Sequence, residues 1–297
     1  MRDLLTTIYR YRGFIWSSVK RDFQARYQTS MLGALWLVLQ PLSMILVYTL
    51  VFSEVMKARM PDNTGSFAYS IYLCSGVLTW GLFTEMLDKG QSVFINNANL
   101  IKKLSFPKIC LPIIVTLSAV LNFAIIFSLF LIFIIVTGNF PGWLFLSVIP
   151  VLLLQILFAG GLGMILGVMN VFFRDVGQLV GVALQFWFWF TPIVYVLNSL
   201  PAWAKNLMMY NPMTRIMQSY QSIFAYHLAP NWYSLWPVLA LAIIFCVIGF
   251  RMFRKHAADM VDEKHLPRIM GRLTAVSSLG TIVYPVIGGL LGEWSWR

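Results

Sequence analysis

Charged residues are scarce in this sequence: Asp, Glu, Lys and Arg make up 11% of its 297 residues, against 59% hydrophobic. A soluble domain carries about a quarter charged residues. This composition therefore excludes a water-soluble enzyme or binding module and points to a chain sitting mostly in a bilayer. Only three cysteines occur, Cys74, Cys110 and Cys246, each in or beside an apolar run. Free buried thiols are expected, since no metal-ligand spacing is present. No G-x-x-x-x-G-K-[ST] loop occurs, so the chain has no phosphate cradle of its own, and no HExxH motif or cysteine cluster occurs. Acidic residues near the apolar runs stand at their ends: Glu54, Glu85, Asp88 and Asp175. Ion-coupled carriers use ionisable groups at membrane depth, so this distribution disfavours ion-driven transport. The few acids and three scattered histidines equally disfavour a membrane-embedded hydrolase. Any uphill movement must then draw on a partner's energy.

What is present is long apolar runs separated by basic loops. Residues 1–28 read as an amphipathic helix, with Ile8, Tyr11, Ile15, Val19, Phe23 and Tyr27 at helical spacing. Its basic residues suit an anionic inner leaflet. No cleavable signal peptide is expected, because the first long apolar run begins only after Arg26. Residues 29–254 read as six spans, at about 32–53, 66–87, 110–136, 144–172, 177–197 and 234–253. Gln40-Pro41 predicts a kink in the first, and the turn chemistry of Thr137 to Gly142 divides the third from the fourth. A polar loop covers 88–108, an irregular outer region 198–233, and a cytosolic tail 255–297. Of the 22 Lys and Arg residues, 18 fall on one side and 4 (Lys57, Arg59, Lys205, Arg215) on the other. Both ends are therefore cytosolic. Topology explains the net charge of +11 without a nucleic-acid partner. The expected fold is an all-α integral membrane protein: six transmembrane helices, an N-terminal amphipathic interface helix, and short re-entrant outer helices between spans five and six.

The most distinctive stretch is Gln185 to Tyr195, which holds five consecutive aromatics, Phe186, Trp187, Phe188, Trp189 and Phe190, followed by Thr191, Pro192 and Tyr195. Consecutive helical residues point about 100° apart, so these rings decorate every face. Two readings stand: an aromatic belt with packing, or rings lining a route for a bulky amphipathic substrate, because aromatic faces suit pyranose C–H groups. The segment Asn96 to Pro107 sets Leu100, Ile101 and Leu104 on a polar frame. It reads as a solvated basic loop or as a short helix docking in a groove of a cytosolic domain. Gly163 with Gly167, and Gly177 with Gly181, form GxxxG pairs that let helices approach closely, within one chain or between two copies.

Four motifs in order carry a family resemblance over roughly residues 8–260. Lys20-Arg21-Asp22-Phe23 through Arg26-Tyr27, then Ser30 to Trp36 and Gln40-Pro41, resemble the entrance of type-two ABC exporter permeases of the O-antigen, capsule and teichoic-acid class. Asn99 to Pro107 is similar to that family's first coupling helix, and Asn170 to Asp175 to its turn between spans four and five. Thr191 to Tyr195, Leu200-Pro201 and Asn211-Pro212 resemble its outer gate region. The resemblance implies a non-enzymatic permease half in the bacterial inner membrane. It would pair with a second copy and two ATPase subunits, which hold ATP and Mg, and export a polyprenyl-diphosphate-linked polysaccharide. By position, Lys20, Arg21, Arg26 and Tyr27 would meet the lipid-linked headgroup, and Phe186 to Phe190 with Tyr195 would line the sugar path. Asn96, Asn99, Leu100, Ile101, Lys102, Lys103, Arg174 and Asp175 would couple to the ATPase. No catalytic residue, metal or cofactor is expected in this chain. The alternatives are an ion-coupled flippase of lipid-linked sugars and a membrane-embedded enzyme of polysaccharide assembly. Residues 265–297 depart from the family pattern and look like a piece of a major-facilitator transporter helix, as a fusion or frameshift would leave.

Overall fold

The computed structural model describes residues 6, 8–25, 35–48, 50, 67–103, 106–197 and 200–256. The expectations for Arg26, Tyr27 and the tail at 265–297 lie outside the described residues, within which every regular element is helical. In chain order these are α1 (Arg12–Ala25), α2 (Trp36–Tyr48), α3 (Ala68–Asn96), α4 (Ala98–Lys103), α5 (Cys110–Val136), a 3-10 turn (Gly142–Ser147), α6 (Val148–Phe172), α7 (Val176–Trp189), α8 (Ala202–Met209), α9 (Pro212–Ala225) and α10 (Trp232–His256). Among the described residues, four stretches are long and apolar enough to cross a membrane: α3, α5, the 3-10 turn with α6, and α10. The expected spans at 32–53 and 177–197 correspond to shorter described helices, α2 and α7. The three cysteines are free thiols.

Helix α3 is the spine, packed against α5, α6, α7 and α9. Phe83, Leu82 and Leu87 of α3 are fully buried with Phe130 of α5, Phe158 of α6 and Phe224 of α9. The helix runs on to Asn96 instead of giving way to a loop after residue 87. Its polar residues find partners along the helix and beside it. Lys89 pairs with Glu85 one turn back at 3.2 Å. The Ser92 hydroxyl donates to the Asp88 carbonyl at 3.0 Å, and Asn97 Nδ2 to the Val93 carbonyl at 2.8 Å. Between the third and fourth spans, Gly138 and Gly142 hold the turn from α5 to α6 at φ 73° and 62°, backbone that favours glycine.

Without a hydrophobic driving force inside lipid, helices associate by close packing, and small residues permit it. A Cβ on Gly167 would stand 2.5 Å from the Gly90 carbonyl oxygen, and one on Gly161 would stand 2.7 Å from the Cys246 nitrogen. The Gly163–Gly167 pair therefore serves the contact of α6 with α3 inside this chain. Gly181 has nothing within 4 Å. Gly167→Val should push α6 off α3, since backbone cannot yield as a side chain does. A loss of about 1–3 kcal/mol is expected from overpacking, read as a lower melting temperature in detergent. An unchanged melting curve would mean the two helices have room to separate.

Candidate functional site

The end of α7 divides its aromatics between two faces. Val180, Leu184 and Trp187 share the inward stripe, where Val180 and Leu184 are buried. The Trp187 ring meets Phe83 edge-to-face at 5.2 Å and also contacts Trp80 and Phe158. Phe188 is half-buried against Trp80. Leu179, Val182, Phe186 and Trp189 form the opposite stripe, at 66%, 53%, 62% and 64% exposure, and Phe190 beside them is also exposed. Five adjacent rings thus do two jobs: Trp187 and Phe188 pack inward and the other three project outward.

The helix stops where Pro192 withholds an N–H and disfavours helical backbone at Thr191. Asn211 clamps this turn. Its Oδ1 accepts from Trp187 Nε1–H at 2.8 Å and from the Met213 N–H at 3.0 Å, capping α9, while its Nδ2 donates to the Phe190 carbonyl and the Thr191 hydroxyl oxygen, both at 3.0 Å. From α3, the Tyr72 hydroxyl donates to the Tyr195 carbonyl at 2.9 Å, and the Tyr69 hydroxyl donates to the Val194 carbonyl. Gln221 Nε2 of α9 donates to the Pro192 carbonyl at 2.9 Å. The Tyr195 hydroxyl folds back to the Trp189 carbonyl at 2.6 Å. A non-helical backbone at membrane depth needs such partners for its polar groups. Asn-Pro at a helix start was the visible sign of a cap. The clamp's reach to Trp187 could not be read from it.

The opposite end of the molecule is basic, with Arg174, Arg251, Arg254 and Lys255. Helix α4 lies there, turned off α3 at Asn97. Ile101 is buried with Phe94, Leu111, Val168 and Phe253, and Leu100 is half-buried against the same cluster. Asn96 is exposed and donates to Ser92 Oγ at 3.1 Å. Asn99, Lys102 and Lys103 lie on α4, their side chains outside the described residues. Arg174 and Asp175 are exposed in the turn from α6 to α7. Asn170 Nδ2 ties that turn to α3, donating to the Gln91 carbonyl at 2.8 Å and to Gln91 Oε1 at 2.9 Å. Burial lowers the pKa of Lys108, in the link from α4 to α5.

Helix α1 lies against α5 and buries Ile15 and Val19. Lys20 and Arg21 are exposed, and Arg21 donates to Ser18 Oγ at 3.1 Å. An ionic network, absent from the sequence expectations, joins three helices. Asp22 of α1 accepts from Lys89 Nζ of α3 at 2.9 Å, and Glu85, paired with Lys89, accepts from Asn122 Nδ2 of α5 at 2.8 Å. Arg21, Asp22, Lys89 and Asn96 line a cavity of about 530 Å³ between α1, α3 and α5. Among the described residues, no group of His, Cys, Asp and Glu could hold a metal ion.

This arrangement has counterparts among known proteins. The profile of a family described as ABC-2 type transporter matches residues 14–225. The chain is 34% identical over 265 residues to the O-antigen export system permease protein RfbA of Myxococcus xanthus, across 89% of this chain and 100% of that protein. A Klebsiella pneumoniae protein of the same name is 29% identical over 236 residues, covering 79% of this chain and 88% of that one. The polysialic acid transport protein KpsM of Escherichia coli is 20% identical over 245 residues, covering 82% and 93%. On the length of these matches, and with apolar spans joined at a basic end, the chain belongs to the ABC-2 type transporter family.

Proposed function

We propose that this chain is the membrane-spanning permease subunit of an ATP-driven exporter. Its substrate would be a polyprenyl-diphosphate-linked polysaccharide of the O-antigen or capsule type, moved outward across the bacterial inner membrane. The observation that carries the reading is the uncovered stripe Leu179, Val182, Phe186 and Trp189 on α7. It follows the spacing of a helix–helix seam and bears rings with no partner core on their side. A second copy set against this stripe would enclose a smooth, uncharged, ring-lined route. Aromatic faces let sugar rings slide without committing to one hydroxyl pattern, which suits a long polymer.

The remaining roles follow from position. Lys20 and Arg21 on α1, with Arg26 and Tyr27 beyond it, would receive the diphosphate headgroup, which needs cations. Phe186, Trp189, Phe190 and Tyr195 would face the glycan, and Trp187 and Phe188 would brace them. Helix α4 and the Arg174–Asp175 turn, both at the basic end, would contact two cytosolic ATPase subunits that supply ATP and Mg. The basic end faces the cytosol by the charge bias of the loops. The Asp22–Lys89–Glu85 network would hold the headgroup helix on α3, the helix that leads into α4.

The test is purification from the native operon in a lipid mimic. A co-purifying ATPase at equal stoichiometry, with hydrolysis stimulated by lipid-linked glycan, is the expected result. A chain that purifies alone and shows no nucleotide-dependent activity when mixed with the operon's ATPase would sink the proposal.

A further inference from the structure

Behind the turn that follows the aromatic run lies a cavity of about 370 Å³. The cavity between α6 and α10, about 830 Å³, is walled by residues such as Leu153, Leu157, Leu239 and Phe250. It offers almost entirely apolar surface. The smaller cavity is mixed, with polar side chains set beside Val196, Leu197, Met209 and Leu228. Its lining includes Tyr72, Arg215, Gln218, Gln221, Ser222 and Tyr226.

These groups are held in place, and several keep hydrogen-bonding capacity to spare. Arg215 is fixed by Nε–H donating to the Met209 carbonyl at 3.2 Å and Nη1–H donating to the Ser234 carbonyl at 3.0 Å. Among the described residues nothing accepts from its Nη2, and the side chains of Gln218 and Ser222 make no hydrogen bond. Tyr72, itself buried, meets the half-buried Tyr226 edge-to-face at 6.4 Å, and Tyr226 supplies ring surface beside these polar groups. Half-buried amides, hydroxyls and a guanidinium call for partners. The volume of about 370 Å³ is on the scale of one sugar residue.

We infer that this cavity is a binding subsite for a single hexopyranose residue of a glycan. Ring C–H groups would lie on the Tyr226 ring, and vicinal hydroxyls would be met by Arg215 Nη2, Gln218 and Ser222. The site adjoins the aromatic turn directly: Val196 and Leu197 form part of its wall, and the Tyr72 hydroxyl that borders it holds the Tyr195 carbonyl. The inference rests on the export reading for its biological glycan, but not for the binding itself. In export it would retain one sugar as the chain leaves the route.

The experiment is saturation-transfer NMR on the full chain in lipid nanodiscs, with free glucose, galactose and mannose as probes. Transfer to ring protons of at least one hexose is expected, falling at least about fivefold in Gln218→Leu and in Ser222→Val, with melting temperatures unchanged. Trp143→Ala, 89% exposed on the 3-10 turn and outside both the aromatic stripe and the cavity, should leave the signal intact. No transfer from any of the three sugars would overturn the inference. So would a signal lost in Trp189→Ala but retained in both cavity variants, because the sugar would then sit on the exposed rings. Neither result bears on whether the ATPase co-purifies, so failure of the subsite and failure of the export reading are told apart.

Discussion

Trp187→Ala should destabilise the protein severely, while Trp189→Ala, two residues on, should leave stability untouched and lower export. Trp187 loses ring contacts with Phe83, Trp80 and Phe158, together with its hydrogen bond to Asn211. Trp187 is partly buried, so its removal should cost about 3 kcal/mol, the low end for truncating a core tryptophan. At about 2–4 °C per kcal/mol for a chain of this size, the melting temperature should fall by on the order of 10 °C. Loss of the Trp187 anchor also releases Asn211, which caps α9 and holds the Phe190 carbonyl. The damage should therefore spread to the turn that presents the outward rings. Trp189 is 64% exposed, and truncating it removes almost no internal packing. If its ring guides a glycan, export should fall several-fold while expression and melting stay at wild-type values. Normal export by Trp189→Ala would remove the outward stripe from the substrate path. A wild-type melting curve for Trp187→Ala would contradict the packed anchor.

The membrane class and most helices were legible in the sequence, because apolar runs and basic loops follow from the bilayer itself. The end of the second span was not. Lys89 and the neighbouring polar residues looked like a loop, yet Asp22 and Glu85 pair with Lys89 and let the helix continue to Asn96. One of those partners lies 67 residues away, beyond any local pattern. The aromatic run was visible, and so was the necessity that its rings point in different directions. Which ring faces inward depends on Phe83, Phe158 and Asn211, carried by three other helices. The outer cavity was invisible for the same reason. Arg215 and Gln218 sit in an amphipathic helix of ordinary appearance, and only packing brings Tyr72 beside them.

Helix α4 illustrates how packing changes the meaning of an amphipathic pattern, and it sets the second large expectation. Read alone, Leu100 and Ile101 form one apolar surface offered to a partner. In the fold Ile101 is 7% exposed and turned into the chain's own cluster of Phe94, Leu111, Val168 and Phe253. The apolar side of α4 thus joins it to α3, α5, α6 and α10, which leaves its other face for the proposed ATPase. A push on α4 would then reach four spanning helices through one side chain. Ile101→Asp places a carboxylate in that cluster. It forfeits the packing of a buried isoleucine, about 2–5 kcal/mol, and adds the cost of desolvating a charge. Helix α4 should detach from the body. ATP hydrolysis by the assembled complex should then persist without export. Ile101→Val, which keeps the packing with a loss of about 0.5–1.5 kcal/mol, should export normally. Arg174→Glu is the complementary change. It reverses a charge on the exposed turn tied to α3 through Asn170 and Gln91, and touches no core. Wild-type melting with weakened ATPase binding is expected of it. If Ile101→Asp still exports at the wild-type rate, force does not pass through α4. If Arg174→Glu binds the ATPase as tightly as wild type, the turn at 174–175 is not part of the contact.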